Sequence, residues 1–218
     1  MNGKLEPMAD FFAARVEGYD EHMLENVEGC REGYQKMAAL IPLTAETLLD
    51  LGCGTGLELD AILARHATLS VTGIDLCDAM LEKLRSKHSD KALTLICGDY
   101  FQVDFGADRF DVAVSFETLH HFSYEKKLGL YQRIFNALHS DGVYIECDYM
   151  VETQDEEDAL MAQNEALRRG EGIADEAYYH FDTPFTVANQ VDLLQKAGFT
   201  EIQKLFRMGG TVLLMAKK

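Results

Sequence analysis

The segment most capable of chemistry is a glycine-rich loop, LLDLGCGTG, at positions 48–56. It stands where an apolar, strand-like run changes into a helical pattern. Glycines at such a turn let the backbone bend sharply and let a ligand approach main-chain N–H groups. The loop residues that we expect to bind a ligand are Gly52, Cys53, Gly54 and Gly56.

The spacing of these glycines narrows the class of ligand. Dinucleotide-binding loops follow the pattern GxGxxG, whereas this loop reads GxGxG, with Leu57 where the third glycine belongs. Asp50 precedes the first glycine by two residues. A carboxylate at this end of a strand repels a pyrophosphate and attracts an ammonium group, so Asp50 is also a predicted binding residue.

Two more acids stand at the ends of the next two predicted strands. Asp75, followed by Leu76, closes the second strand, and Asp99, followed by Tyr100, closes the third. The carboxyl ends of parallel strands meet at one edge of an open sheet, so these residues converge on the glycine loop. We expect Asp75 to accept hydrogen bonds from ribose hydroxyls and Asp99 to accept one from an adenine amine.

The residues after the fourth predicted strand are candidates for the reaction itself. Glu117, His120 and His121 are spaced i, i+3 and i+4, so they can share a helical face. Histidine can orient a substrate or remove its proton, which makes His120, and then His121, the predicted catalytic residues. The alternative is that they only pack the strand-to-helix turn. No metal is expected, because the pattern offers no fourth ligand.

Residues 48–150 resemble the class I S-adenosylmethionine-dependent methyltransferases that act on small molecules. The resemblance rests on the loop DLGCGTG, the two strand-end acids, and the segments FDVAVSFETLHHF and LHSDGVY. It implies S-adenosylmethionine as cofactor, with backbone near Phe116 beside the methionine part and Tyr19 closing over the site. It also implies a doubly wound α/β sheet of seven strands in the order 3-2-1-4-5-7-6, with strand 7 antiparallel. The acceptor does not carry over.

Two other functions remain open at this point. A nicotinamide- or flavin-dependent oxidoreductase shares the strand, glycine loop and helix, although its glycine spacing differs. A protein that binds the cofactor without transferring a group would keep the same loop and acids. A transfer from this cofactor other than methyl is a further alternative.

The elements that position these residues follow from alternating apolar and helical patterns. Apolar runs separated by helices are typical of a parallel sheet covered on both faces. The pattern predicts strands at 47–52, 69–76, 92–99, 110–116 and 143–150, and helices at 57–66, 77–88 and 124–138. A later helix is predicted to have Thr183 as its cap and Pro184 as its first residue. Two final strands joined through 208–210 suit an antiparallel hairpin.

The pattern predicts a single domain over 1–218, with a helical flank at 1–42 and a lid-like insertion at 151–183. The insertion is acidic and carries an aromatic run at 178–181. This acidity leaves two interpretations open, namely selection of a cationic acceptor and an ordinary solvated surface.

Charge and composition exclude several classes of partner. The formal net charge is −17, and such a field repels nucleic acid and anionic lipid. No apolar run approaches the roughly 20 residues that span a bilayer, and the first residues are too polar for a signal peptide. The five scattered cysteines fit reduced thiols in the cytoplasm. A small-molecule acceptor is therefore expected, and the oligomeric state is open.

Overall fold

A seven-stranded sheet forms the centre of the protein in a computed structural model, which describes residues 5–174 and 176–218. The strands are β1 (Thr47–Leu51), β2 (Ser70–Asp75), β3 (Leu93–Cys97), β4 (Phe110–Phe116), β5 (Leu138–Tyr149), β6 (Thr200–Met208) and β7 (Thr211–Lys217). Their order is β3-β2-β1-β4-β5-β7-β6, with β7 antiparallel to both of its neighbours. The predicted fold class and strand order are confirmed. β5 begins earlier than predicted, because Leu138 already pairs with Phe110 before a bulge.

Helices cover both faces of the sheet. Those in the described residues are α1 (Met8–Ala13), α2 (Val16–Glu25), α3 (Cys30–Leu40), α4 (Leu57–Arg65), α5 (Asp78–Lys87), α6 (Tyr124–Ala137), α7 (Gln154–Glu171) and α8 (Val187–Ala197). Successive side chains of a strand point to opposite faces. In β1, Leu48 therefore packs in the core beneath α3 and α4, while Leu49 packs in the core beneath α6 and α8.

The N-terminal flank is divided into α1, α2 and α3, whereas the sequence pattern predicts continuous helical character. The break before α3 falls at Gly29, which caps the helix with a φ of 86°. A Cβ at this position would lie 3.0 Å from the side chain of Met208. The close approach of β6 and the left-handed backbone together account for glycine at the break.

The prediction that Thr183 and Pro184 begin α8 is wrong. The helix begins at Val187, and the Thr186 side chain caps it by accepting a hydrogen bond from the Asn189 N–H. Thr183 instead donates its N–H and its hydroxyl to the carbonyl oxygen of His120, at 2.7 and 3.1 Å. These bonds tie the chain before α8 to the turn after β4, so the helix starts later.

The insertion after β5 contains α7, which begins in a capping box formed by Thr153 and Glu156. The chain then returns to the N-terminal flank, where Tyr179 forms a β-bridge with Pro7 and the Tyr178 carbonyl accepts from the Met8 N–H. The flank and the insertion therefore meet above the carboxyl ends of the strands. None of the helices in the described residues is both long enough and apolar enough to cross a membrane.

Candidate cofactor and acceptor sites

Two adjoining cavities open at the carboxyl ends of the parallel strands. The first, here called the glycine-loop cleft, lies over the turn between β1 and α4. Eight of the predicted ligand-binding residues line it, namely Tyr19, Gly52, Gly54, Asp75, Leu76, Asp99, Tyr100 and Phe116. The topology therefore brings together side chains that are far apart in the sequence.

The glycine loop is held in place by the acid at the end of β2. Asp75 accepts hydrogen bonds from the backbone N–H groups of Gly54 and Cys77, each at 2.8 Å. Gly52 has a φ of 73°, and a Cβ there would lie 2.2 Å from the Thr118 hydroxyl. A side chain at Gly52 is thus excluded, because it would push the loop away from the turn after β4.

The acid after β3 is linked to the insertion. Asp99 accepts one hydrogen bond from the Phe101 N–H at 2.8 Å and another from the Tyr178 hydroxyl at 2.9 Å. The Tyr178 ring lies edge-on to Phe122, with centroids 5.4 Å apart. Tyr178 therefore lines the same cleft and occupies one oxygen of Asp99.

Aromatic residues close the cleft on the side of the N-terminal flank. Phe116 stacks on Tyr34 with ring centroids 3.9 Å apart. Tyr100 bonds through its hydroxyl to Thr118, at 3.3 Å, and its ring is buried. Burial, with nearby carboxylates, raises the pKa of Tyr19, so this hydroxyl stays protonated. These rings give the cleft an apolar wall.

Three predicted binding residues do not line the cleft. Cys53 is buried with its sulfur towards Gly73, and Gly56 caps the first turn of α4. Asp50 is fully buried, and this burial, together with the Asp75 carboxylate, raises its pKa to about 7. A direct contact between Asp50 and a ligand's ammonium group therefore stays a prediction.

The second cavity, here called the histidine cavity, has a volume of about 800 Å³. Both predicted catalytic residues, His120 and His121, line it. It shares Phe12, Tyr19 and Glu117 with the glycine-loop cleft, so the two cavities meet at these side chains. The volume lies in the range of small-molecule sites.

The histidines belong to a cluster with carboxylates. His120 Nδ1 lies 2.6 Å from Asp148 Oδ1 and 3.6 Å from a Glu117 oxygen. Asp182 Oδ1 lies 3.6 Å from His120 Nε2 and 3.3 Å from His121 Nδ1. The two histidine side chains expose only 8% and 3% of their surface, so the cluster is largely removed from bulk solvent.

The charges of this cluster follow from its burial and its partners. Burial alone lowers the pKa of His120, but the Asp148 and Asp182 carboxylates raise it to about 10. Burial and the charge on His120 hold the pKa of His121 well below its usual range. At neutral pH His120 therefore carries a proton and His121 is neutral, so the site stabilises one positive charge.

Sequence reasoning did not identify Asp148 and Asp182. Asp148 lies near the end of β5, and its position is analogous to those of Asp75 and Asp99, so the same strand-end argument applies to it. No comparable sequence pattern points to Asp182, which does not close a strand. It reaches the histidines because the chain returns from α7, and because Thr183 is bonded to His120.

Comparisons with known proteins agree with this geometry. Residues 48–142 match the family described as "Methyltransferase domain". The chain is 26% identical to a carboxy-S-adenosyl-L-methionine synthase of Helicobacter hepaticus, over 96% of this chain and 90% of that protein. It is 27% identical to a 24-methylenesterol C-methyltransferase of Arabidopsis thaliana, over 59% of this chain and 36% of the relative.

Solved structures share the fold. A putative O-methyltransferase from Nostoc punctiforme superposes with a TM-score of 0.72 at 21% identity, covering 100% of this chain and 64% of that one. Human N-acetylserotonin methyltransferase, solved with S-adenosylmethionine, gives a TM-score of 0.68 at 16% identity, covering 96% of this chain and 56% of that one. The chain thus spans less than two thirds of either structure. Residues 48–142 therefore form a methyltransferase domain, and the glycine loop and sheet order are those of the class I S-adenosylmethionine-dependent methyltransferases.

Proposed function

We propose that this enzyme transfers the methyl group of S-adenosylmethionine to a small molecule bound in the histidine cavity. The observation that carries the proposal is the junction of the two cavities at Phe12, Tyr19 and Glu117. A methyl group can pass directly from donor to acceptor only where their sites adjoin. The cofactor supplies an electrophilic methyl group on a sulfonium.

The donor set of the glycine-loop cleft fits this cofactor. Asp75 and Asp99 place carboxylate oxygens where hydroxyl and amine donors need acceptors. A Cβ at Gly54 would meet no protein atom closer than 3.9 Å, so the space beside this glycine is open. We assign ribose to Asp75, adenine to Asp99 and Tyr100, and the methionine part to the backbone near Gly52 and Phe116.

The charge of the histidine cavity favours neutral or cationic acceptors. Three carboxylates, those of Glu28, Glu117 and Asp182, line it. Among the described residues that line it, Arg15 is the one arginine or lysine, and it already pairs with Glu6 at 3.0 Å. An anionic acceptor would enter a region of negative potential, because the charge on His120 is already matched by Asp148 and Asp182. An amine, an alcohol or a phenol meets no such penalty.

We assign His120 and His121 to contact with the acceptor's nucleophilic atom. Asp148 fixes the ring of His120 through the 2.6 Å contact at Nδ1, so that Nε2 is directed towards Asp182. Because protonated His120 has no free lone pair, it cannot remove a proton from the acceptor. It orients the acceptor by donating a hydrogen bond. His121, neutral and buried, completes the wall on which the acceptor rests.

The similarity to carboxy-S-adenosyl-L-methionine synthases defines a second candidate reaction, in which the cofactor itself is carboxylated. The similarity covers 96% of the chain, which is the observation in its favour. A cofactor with an added carboxylate requires a cation beside it. Among the described residues lining the two cavities, Arg15 is the one permanent cation, and its partner Glu6 already neutralises it.

The experiment that tests the proposal is a screen with methyl-labelled S-adenosylmethionine. Matched amines, phenols and carboxylic acids of similar size are offered to the purified enzyme, and labelled product is separated from cofactor. Label in neutral or amine acceptors, with none in the acids, is the expected result. Transfer only to acids contradicts the proposed acceptor class. A cofactor whose mass increases by one carboxyl group supports the synthase reaction instead.

A further inference from the structure

The carboxylate and imidazole cluster of the histidine cavity has the donor set of a metal site. One nitrogen of His120, one nitrogen of His121 and one oxygen of Asp182 all lie within 4.8 Å of one another. Two imidazoles and one carboxylate on one side of a cavity is an arrangement that holds divalent transition metals with further positions open. The sequence did not reveal it, because Asp182 is contributed by the insertion.

The spacing of the donor atoms agrees with a shared ion. Ligand atoms at about 2.1 Å from a single ion lie roughly 3.0–3.4 Å apart in tetrahedral or octahedral geometry. The distances from Asp182 Oδ1 are 3.3 Å to His121 Nδ1 and 3.6 Å to His120 Nε2. His121 Nδ1 also lies 3.2 Å from the Phe181 carbonyl oxygen, so an ion is seated only when the His121 ring turns away from this carbonyl.

The state of Asp182 provides a second observation. Its Oδ1 atom is buried and has no hydrogen-bond partner among the described residues. Burial of a carboxylate oxygen carries a desolvation cost, which a nearby cation offsets. In the metal-free cluster the protonated His120 is that cation, and a metal ion bound to both imidazoles would displace its proton and take over its charge.

The hydrogen bond that holds the His120 ring is also of a type found in metal sites. Asp148 Oδ1 lies 2.6 Å from His120 Nδ1, and ligating histidines commonly bond a carboxylate through the nitrogen that is not on the metal. Asp148 and His120 form an alternative ligand group with Glu117. The 2.6 Å contact is a hydrogen-bond distance and is short for two ligands of one ion. Asp148 thus orients the ring, and Asp182 is the carboxylate ligand.

We propose that His120, His121 and Asp182 bind one divalent transition metal ion whose open positions face the acceptor. Its catalytic role rests on the proposed function, whereas the binding site itself does not. An acceptor hydroxyl that coordinates the ion releases its proton to water more readily. The resulting oxyanion forms the new O–CH₃ bond, and the electron pair of the broken C–S bond stays on sulfur. The ion is neither oxidised nor reduced.

Cobalt(II) is the probe for this site, because its visible absorption reports the ligand geometry. The chelator-treated enzyme is titrated with cobalt(II) at neutral pH. We expect one ion per chain, with an absorption spectrum of nitrogen and oxygen ligation, displaced by zinc(II). Since this measurement uses the unaltered chain, it does not depend on the folding of any variant. Absence of the spectrum, or binding only at random surface sites, overturns the proposal.

Variants locate the ion. Asp182→Asn and His121→Ala are each expected to weaken cobalt(II) binding at least tenfold, and Asp148→Asn by roughly 10- to 100-fold. His139→Ala, at an exposed histidine outside both cavities, is the matched control and leaves binding unchanged. Equal affinity in wild type and Asp182→Asn overturns the assignment. A wild-type chain that binds adenosylhomocysteine but not cobalt(II) overturns the metal site alone. A wild-type chain that binds cobalt(II) but not adenosylhomocysteine overturns the cofactor assignment alone.

Discussion

At the scale of single residues, Asp99 connects the cofactor site with the insertion. Its two oxygens bond the Phe101 N–H and the Tyr178 hydroxyl, so the oxygen assigned to adenine already has a donor. A cofactor amine must displace Tyr178 or share the oxygen with it. We therefore expect Tyr178 to compete with the cofactor amine for this oxygen, while its ring contributes to the wall of the cleft.

Replacement of Tyr178 by phenylalanine tests this competition. Tyr178→Phe keeps the ring and frees the Asp99 oxygen, so we expect adenosylhomocysteine to bind up to about tenfold tighter, within the range of one hydrogen bond. Tyr179→Phe is the control, because Tyr179 does not line the cleft. Calorimetric titration with adenosylhomocysteine measures the affinity of both variants. Weaker binding by Tyr178→Phe would show that its hydroxyl contacts the cofactor directly.

His120 is the residue on which the acceptor site depends most. His120→Ala removes the hydrogen-bond donor of the metal-free site or, with the proposed ion bound, one of its ligands, so in either case turnover is expected to fall about 10²-fold or more. Affinity for adenosylhomocysteine should change little, because His120 does not line the glycine-loop cleft. This prediction is tested by measuring the turnover rate with an acceptor from the screen, together with the melting temperature of the variant. Wild-type turnover in a folded variant removes His120 from the active site.

At the scale of elements, β5 carries a buried carboxyl, Glu146, two residues before Asp148 and on the same face of the strand, where α6 and α8 pack. Glu146 accepts hydrogen bonds from the Tyr131 hydroxyl at 2.9 Å and from Gln190 at 2.9 and 3.0 Å. Burial, together with the Asp148 carboxylate, raises its pKa to about 7. The folded chain therefore keeps the Glu146 proton over a pH range in which the unfolded chain loses it.

This difference makes stability depend on pH with a definite sign. Between about pH 4.5 and 7 the folded state binds more protons than the unfolded state, so the contribution of Glu146 falls as pH rises. Its slope reaches at most about 1.4 kcal/mol per pH unit. Glu146→Gln, which cannot titrate, should lack this component when unfolding in urea is measured across the window. If the free energy of unfolding depends on pH in the same way in wild type and Glu146→Gln, the assignment is contradicted.

Two glycines offer a matched test of the turn after β1. Gly52→Ala places a Cβ 2.2 Å from the Thr118 hydroxyl at a φ of 73°, so we expect it to lower the free energy of unfolding by at least about 1–3 kcal/mol. Gly129→Ala lies in α6, where the added Cβ would have no atom of the described residues within 4 Å apart from the neighbouring helix backbone, and should stabilise by about 0.5–1 kcal/mol. Chemical denaturation of both variants gives the comparison. A neutral Gly52→Ala would mean that the loop is not constrained by Thr118.

At the scale of the whole molecule, the sequence predicted what depends on local pattern. Near-continuous apolar runs located the strands of a parallel sheet, whereas the strand order was implied by the resemblance to the methyltransferases. The acids Asp75 and Asp99 could be located because each closes a strand. Asp182 could not be located, since its place depends on the path of the insertion back to the histidines. The start of α8 was misplaced for the same reason. Thr183 is a good cap by type, but a tertiary bond to His120 keeps it outside the helix.

The measurement that tests the central claim most directly is calorimetric titration of adenosylhomocysteine into wild type and Asp75→Ala. Wild type should bind one molecule per chain, and Asp75→Ala should bind more weakly by about 1.5–3 kcal/mol, because charged hydrogen bonds to the ribose are lost. Asp78→Ala, at an exposed acid three residues further on, is the control and should match wild type. Equal affinity of wild type and a folded Asp75→Ala, or binding of NADH in place of adenosylhomocysteine, would contradict the account.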